Sequence, residues 1–128
     1  MSYYFAKRLN VDFGQAIERV TEALKNEGFG IISTIDVQDT LHKKLGVEFR
    51  PYRILGACNP TLAHEALSVE DKIGTMLPCN VVVQDWKDGS VEVAAIDPMA
   101  SMQAVMNPTL KATAETVRSK LQKVIDAL

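Results

Sequence analysis

The chain has 128 residues, of which 47% are hydrophobic and 23% charged, and its formal net charge is −2. This length and balance predict one globular domain, residues 1–128, with its own hydrophobic core, and they exclude a disordered or fibrous protein. A slightly acidic chain lacks the basic face that binds phosphate backbones, so we expect no nucleic-acid partner.

The first ten residues, MSYYFAKRLN, contain no apolar segment of the kind found in secretion signals. Apolar runs elsewhere are too short to span a bilayer. We therefore expect a cytoplasmic protein with no membrane partner. In a reducing compartment the two cysteines favour free thiols over a structural disulfide.

The first half of the chain alternates predicted strands and helices. Residues 3–9, YYFAKRL, are aromatic-rich and predict a strand. Asp12 and Gln15 have the spacing of a capping box, and the helix that they begin ends near Gly28. FGIISTID then predicts a second strand, and residues 36–46 predict a short helix.

The second half predicts three more strands and a long helix. PYRILGACN is a third strand, and CNVVVQDW and SVEVAAID are joined as a hairpin at Asp88-Gly89. Short helices lie between the third and fourth strands, and Met99, Met102 and Met106 follow a proline at helical spacing. NPTLKATAETVRSKLQKVIDAL predicts a long amphipathic helix at the end.

This order predicts an α+β fold of the β-α-β-β-β-β-α type. We expect a two-layer sandwich in which a mostly antiparallel five-stranded sheet carries the helices on one face. The opposite face also carries apolar residues in the last three strands, so we expect a second copy to cover it. A homodimer is therefore the predicted assembly.

Two stretches, ILGACNP and TMLPCNVVV, hold the only two cysteines, and asparagine follows each. Cys58 ends the third strand and Cys79 begins the fourth, so antiparallel pairing brings them to the same rim of the sheet. Cys58 also precedes the predicted helix cap Asn59, where the helix dipole favours a reactive thiolate. The alternative is that both cysteines are small buried residues that only fill space.

The common signatures of catalytic and metal sites are absent from the sequence. There is no glycine-rich phosphate loop, no G-x-S-x-G and no H-E-x-x-H. Zinc sites usually have four Cys, His or carboxylate ligands, whereas this chain offers two cysteines and no C-x-x-C. We predict no metal and no cofactor, and the sequence leaves open whether the protein is an enzyme.

Four segments, in order along nearly the whole chain, resemble domain-of-unknown-function family 302 of bacteria and archaea. They are EALKNEGFGIIS, YRILGACNPTLAHEAL, KIGTMLPCNVVV and MNPTLKATAETV, of which LPCNVVV is the most specific. The resemblance implies an α+β fold of the TATA-binding-protein-like type and a homodimer. It implies no activity, substrate or cofactor.

Three functional hypotheses remain. The first is a homodimeric module that binds a small molecule or a partner at the rim formed by residues 56–60 and 74–80. Its predicted ligand-binding residues are Tyr52, Asn59, Met76, Leu77 and Asn80, together with the helix over Met99–Met106. The second is a thiol-based redox enzyme or sensor, with Cys58 as the nucleophile and Cys79 as the resolving thiol. The third is a purely structural dimer.

Overall fold

Five antiparallel strands form one sheet in the computed structural model, which describes residues 2–128. The spatial order is β1-β5-β4-β3-β2, and all four neighbouring pairs are antiparallel. The strands are β1 (Tyr4–Leu9), β2 (Gly30–Asp36), β3 (Tyr52–Cys58), β4 (Cys79–Asp85) and β5 (Val91–Ile96). The predicted α+β fold is confirmed.

Each of the five α-helices begins at an aspartate or asparagine whose side chain accepts a hydrogen bond from a backbone N–H of the first turn. Proline follows that cap in the last three helices, where its missing N–H costs nothing. The helices are α1 (Phe13–Asn26), α2 (Val37–Leu45), α3 (Pro60–Val69), α4 (Pro98–Ser101) and α5 (Pro108–Asp126). A 3₁₀ helix, Asp71–Met76, lies between α3 and β4.

The predicted helix over Met99–Met106 is wrong in its extent, because α4 ends at Ser101. Asn107 is extended, with φ −136°, since it caps α5 and precedes a proline, which disfavours helical backbone. Met106 is 93% exposed, so a longer helix would bury no apolar face there.

The main core lies between one face of the sheet and helices α1 and α5. Its fully buried members come from both layers and include Val20, Leu24, Leu55, Val81, Val83, Val93, Leu121 and Val124. A second, smaller cluster lies beyond the rim of the sheet, where Ala66 of α3, Ile73 of the 3₁₀ helix and Leu110 of α5 meet. The space between the two clusters is where the candidate site lies.

The opposite face of the sheet carries a continuous apolar row. The ladders pair its members across all five strands, in the order Ala6, Ala94, Val82, Ile54 and Ile35. Ile35 is 51% exposed, and the three central residues are half-buried. None of the helices within residues 2–128 has both the length and the apolar character that crossing a membrane requires.

Candidate ligand-binding cavity at the sheet rim

A cavity of about 350 Å³ lies between the main core and the second cluster. Strand ends form one side of it, α3 and α5 form another, and the segment that leads into β4 forms a third. The lining is mostly aliphatic and includes Phe29, Ile32, Ala57, Leu62, Ala63, Ala66, Leu77, Pro78, Leu110, Ala114 and Val117. No charged residue belongs to this lining.

Asn59 fixes the position of α3 over the rim. Its Oδ1 accepts a hydrogen bond from the Leu62 N–H at 3.2 Å, which caps the helix. Its Nδ2 donates to the Glu27 carbonyl at 3.5 Å, which ties α3 to the end of α1. Thr113, the other hydroxyl or amide side chain in the lining, donates from Oγ1 to the Thr109 carbonyl at 3.4 Å. Both polar side chains therefore already have partners within the protein.

The two cysteines line the same cavity, and both are free thiols. Cys79 lies opposite Ala57 in the β3–β4 ladder, one position from Cys58. Cys58 is half-buried, whereas Cys79 is 8% exposed. Burial, and to a smaller extent the nearby Cys58, raises the pKa of the Cys79 thiol to about 11. Cys79 is therefore protonated at neutral pH.

An open groove adjoins the cavity along α4 and α5. Met102, Leu110 and Ala114 border both spaces. The groove, unlike the cavity, has charged walls, formed by Asp97, Lys111, Glu115 and Arg118. It will be called the α4–α5 groove.

Asp97 connects α4 with α5 in the wall of the α4–α5 groove. Its Oδ1 accepts the Met99 N–H at 3.0 Å, and its Oδ2 accepts a hydrogen bond from Arg118 Nε at 3.1 Å. One carboxylate thus caps α4 and pairs with α5. Lys111 and Glu115 have no ion pair among residues 2–128.

A family model described as "Domain of unknown function DUF302" matches residues 5–128. The chain belongs to this family. A crystal structure of an uncharacterized conserved DUF302 protein from Bacillus stearothermophilus is similar, with a TM-score of 0.91 and 29% sequence identity. The match covers 99% of this chain and 98% of that chain. A comparison with curated proteins gave no match.

This DUF302 domain brings some of the predicted site residues together and separates others. Asn59 and Leu77 line the cavity beside the two cysteines. Tyr52 lies at the opposite end of β3 from Cys58, about 20 Å away for a strand of this length. There it packs against Phe49, with ring centroids 6.1 Å apart.

Met76 and Asn80 are close to the cavity in sequence but do not line it. Met76 ends the 3₁₀ helix and is exposed, and Asn80 is an exposed residue of β4 between two buried ones. Sequence reasoning missed Phe29, Thr113 and Ala114. Ala114 belongs to the apolar stripe of α5, but the sequence pattern does not reveal that this part of the stripe lines the cavity.

Proposed function

We propose that this domain is a binding module for an apolar small molecule, which occupies the cavity between α3, α5 and the strand ends. The observation that carries the proposal is the cavity itself. It measures about 350 Å³, and its lining is almost entirely apolar. An apolar cavity of about 150 Å³ already binds benzene, and ligand pockets begin at about 300 Å³.

The chemistry of the lining supports an apolar ligand rather than trapped water. A buried water needs about two to four polar partners. Asn59 and Thr113 are already hydrogen-bonded within the protein, so among the lining side chains only the weakly polar thiols lack partners. An apolar ligand restores the dispersion contacts that the lining lacks.

Titration with N-phenyl-1-naphthylamine, a neutral apolar fluorophore, tests this proposal. Ala114→Leu adds three carbons to the cavity wall and should weaken binding at least tenfold, whereas Ala112→Leu should leave it unchanged. Ala112 is exposed on the same helix, so the two variants share the helix and the chemical change. Thermal unfolding verifies that both fold. Absence of saturable binding, or equal binding by both variants, overturns the proposal.

We also propose that the domain is a homodimer whose interface is the apolar row on the face of the sheet opposite α1 and α5. A contiguous apolar surface across five strands is the kind of patch that a partner covers, and a two-fold axis lets the same patch serve both subunits. Light scattering after size exclusion should give a dimer. Val82→Lys should give a monomer, and Val47→Lys, a change at an exposed valine outside the sheet, should not. A monomeric parent protein at high concentration contradicts this assembly.

Thiol chemistry at Cys58 is the second candidate function. It is favoured by the position of both thiols in the wall of one cavity and by the place of Cys58 just before α3. It ranks second because burial keeps the Cys79 thiol protonated, which disfavours its attack as the resolving partner. In either case we propose a cytoplasmic location, where free thiols persist.

A further inference from the structure

Arg50 is a half-buried charge that lies two residues before β3 and has no ion pair among residues 2–128. The other half-buried arginine, Arg53, pairs with Asp36 Oδ2 at 3.5 Å. Charged side chains seldom leave water unless an opposite charge and hydrogen-bond partners accompany them. The contacts around Arg50 show which of these the protein supplies.

Aromatic rings surround the guanidinium of Arg50. Its Cζ lies 4.2 Å from the ring centroid of Trp86, 4.6 Å from that of Phe49 and 5.7 Å from that of Tyr52. Contacts between a guanidinium and aromatic rings are attractive, and more so where water is excluded. They stabilise the positive charge, but they do not provide oxygen acceptors for its N–H groups.

A hydrogen-bonded network fixes one edge of the same guanidinium. Arg50 Nε donates to Gln84 Oε1 at 2.9 Å, and Gln84 is only 9% exposed. Gln84 Nε2 donates at 3.3 Å to Glu92 Oε1, which also accepts a hydrogen bond from Trp86 Nε1 at 3.4 Å. Glu92 thus orients both the amide that binds Nε and the ring against which the guanidinium lies.

The other edge of the guanidinium is free to bind. Only the Nε–H of Arg50 has a hydrogen-bond partner among residues 2–128. The nitrogens Nη1 and Nη2 are not among the buried atoms that lack a partner, so they reach solvent. Together they form the planar fork that matches two oxygens of a carboxylate or a phosphate. The protein thus holds this fork in place and presents it to solvent.

This cluster lies away from the cavity, on the face of the sheet opposite α1 and α5. Gln84 follows Val83 of the main core, so its side chain points to the opposite face. Tyr52 pairs with Gln84 and Gln84 with Glu92, so these three residues share one row of that face. The row lies two residues along the strands, or about 7 Å, from the apolar row. Arg50 is therefore separate from the cavity and at the margin of the proposed dimer interface.

We infer that Arg50 binds a small oxyanion, a carboxylate or a phosphate, through Nη1 and Nη2. Such an anion supplies both the opposite charge and the acceptors that residues 2–128 do not provide for these two nitrogens. Phe49, Trp86 and Gln84 are positioning residues, since they hold the guanidinium by its faces and its Nε. The site goes beyond the proposed function, because it needs neither the cavity nor its ligand.

Titrations with inorganic phosphate and with succinate, each at an ionic strength held constant with sodium chloride, test the inference. Trp86 is the only tryptophan of the chain, so its fluorescence reports on the guanidinium that lies against it. The emission should change saturably with at least one of the two anions. The Nε–H signal of Arg50 in nitrogen-resolved NMR spectra should shift over the same concentration range. Absence of a saturable response in both measurements overturns the inference.

Two matched variants show whether Arg50 is the residue that binds. Arg50→Lys keeps the positive charge but removes the fork, so binding should weaken about tenfold. Arg8→Lys makes the same chemical change at an arginine that lies 5.4 Å from the Trp86 ring but pairs with Asp88 at 3.2 Å, so it should leave binding unchanged. Thermal unfolding verifies that both variants fold. Equal binding by the parent protein and Arg50→Lys overturns the inference.

Light scattering separates a free anion from a carboxylate of a second copy, because Arg50 lies at the margin of the proposed dimer interface. If the ligand is a free anion, the oligomeric state should be the same in the parent protein, in Arg50→Lys and in saturating phosphate. If Arg50→Lys or phosphate dissociates a dimer instead, the fork binds the other subunit, and the assignment to a free anion is overturned.

Discussion

Cys58 lies one residue beyond the ladder position opposite Cys79, because the residue of β3 that pairs with Cys79 is Ala57. Consecutive residues of a strand point to opposite faces of the sheet, so the two side chains leave the sheet on opposite sides, although both border the cavity at the rim. A disulfide needs its Cβ atoms about 3.5–4.5 Å apart, which side chains on opposite faces do not favour. The two thiols share one rim without being placed to form a bond.

We therefore predict that the native protein keeps both thiols after mild oxidation. Treatment with diamide should leave no intramolecular disulfide, and iodoacetamide should label Cys58 well before Cys79, because Cys58 is half-buried and Cys79 is buried with a raised pKa. Mass spectrometry of the labelled peptides measures both. Labelling in urea is the control, since unfolding should make the two equal. Rapid disulfide formation in the native protein would instead favour a redox sensor.

The raised pKa of Cys79 predicts a stability that falls in alkaline solution. Burial raises this pKa from its ordinary value of 9.0 to about 11, so between these values the unfolded chain loses a proton that the folded protein keeps. The free energy of unfolding should decrease as the pH rises from 9 to 11 and then level off, by about 2–3 kcal/mol from this group.

Urea unfolding at pH 8 and pH 11 measures the effect, with Cys79→Ala as the comparison. Lysines and tyrosines also titrate in this range, so the informative quantity is the difference between the two proteins. The parent should lose more stability than the variant on going from pH 8 to pH 11. Equal losses would show that Cys79 titrates as it does in the unfolded chain.

The sequence predicted those parts of the fold that local chemistry decides. The capping box of Asp12 and Gln15 and the hairpin at Asp88-Gly89 are present, because each depends on side chains within a few residues. The antiparallel rim that brings Cys58 near Cys79 also followed from the order of the strands.

The candidate site was less predictable because it depends on packing at a distance. Leu110 and Ala114 belong to one apolar stripe of α5. They line the cavity only because of the way α5 is placed against α3 and the rim of the sheet, which the stripe does not reveal. Tyr52 was predicted at this site, yet a strand of seven residues separates its end from the end with Cys58. The methionine spacing predicted a helix that continues past Ser101. The helix ends there instead, because Asn107 has to be extended in order to cap α5.

Gly56 has no room for a side chain, which predicts a large effect of adding a single methyl group. A Cβ at this position would lie 2.1 Å from Ser33 Oγ and 2.7 Å from Pro78 Cγ. The serine can rotate, but the proline ring cannot, and it belongs to the cavity lining. Gly56→Ala should therefore lower the free energy of unfolding by about 1–3 kcal/mol and weaken fluorophore binding.

Gly30→Ala is the matched control for this prediction. A Cβ at Gly30 meets nothing within 4 Å, so its change in stability should stay within about 0.5 kcal/mol. Urea unfolding and fluorophore titration of the two variants give the comparison. Similar stabilities for both would mean that the segment around Pro78 moves away from Gly56 at little cost.

Asp97 should contribute more to stability than an ordinary helix cap, because it has two roles at a buried position. It is 7% exposed, accepts the Met99 N–H with one oxygen and pairs with Arg118 through the other. Asp12 caps α1 from an exposed position and has no ion pair among residues 2–128. Asp12→Ala should cost about 1 kcal/mol and Asp97→Ala about 2–3 kcal/mol, as measured by urea unfolding.

The Arg118 side chain is 45% exposed. When Asp97 is removed, water can therefore replace part of the hydrogen bonding and charge interaction that the guanidinium loses. Arg118→Met separates the two contributions, since it removes the ion pair and leaves the cap of α4 in place. Its cost should be below about 1 kcal/mol, with the remainder of the Asp97 effect due to the buried cap. If Asp97→Ala and Asp12→Ala cost the same, neither the burial of Asp97 nor its ion pair adds to the capping energy. The α4–α5 groove would then be held in place by the packing of Met102 and Leu110 instead.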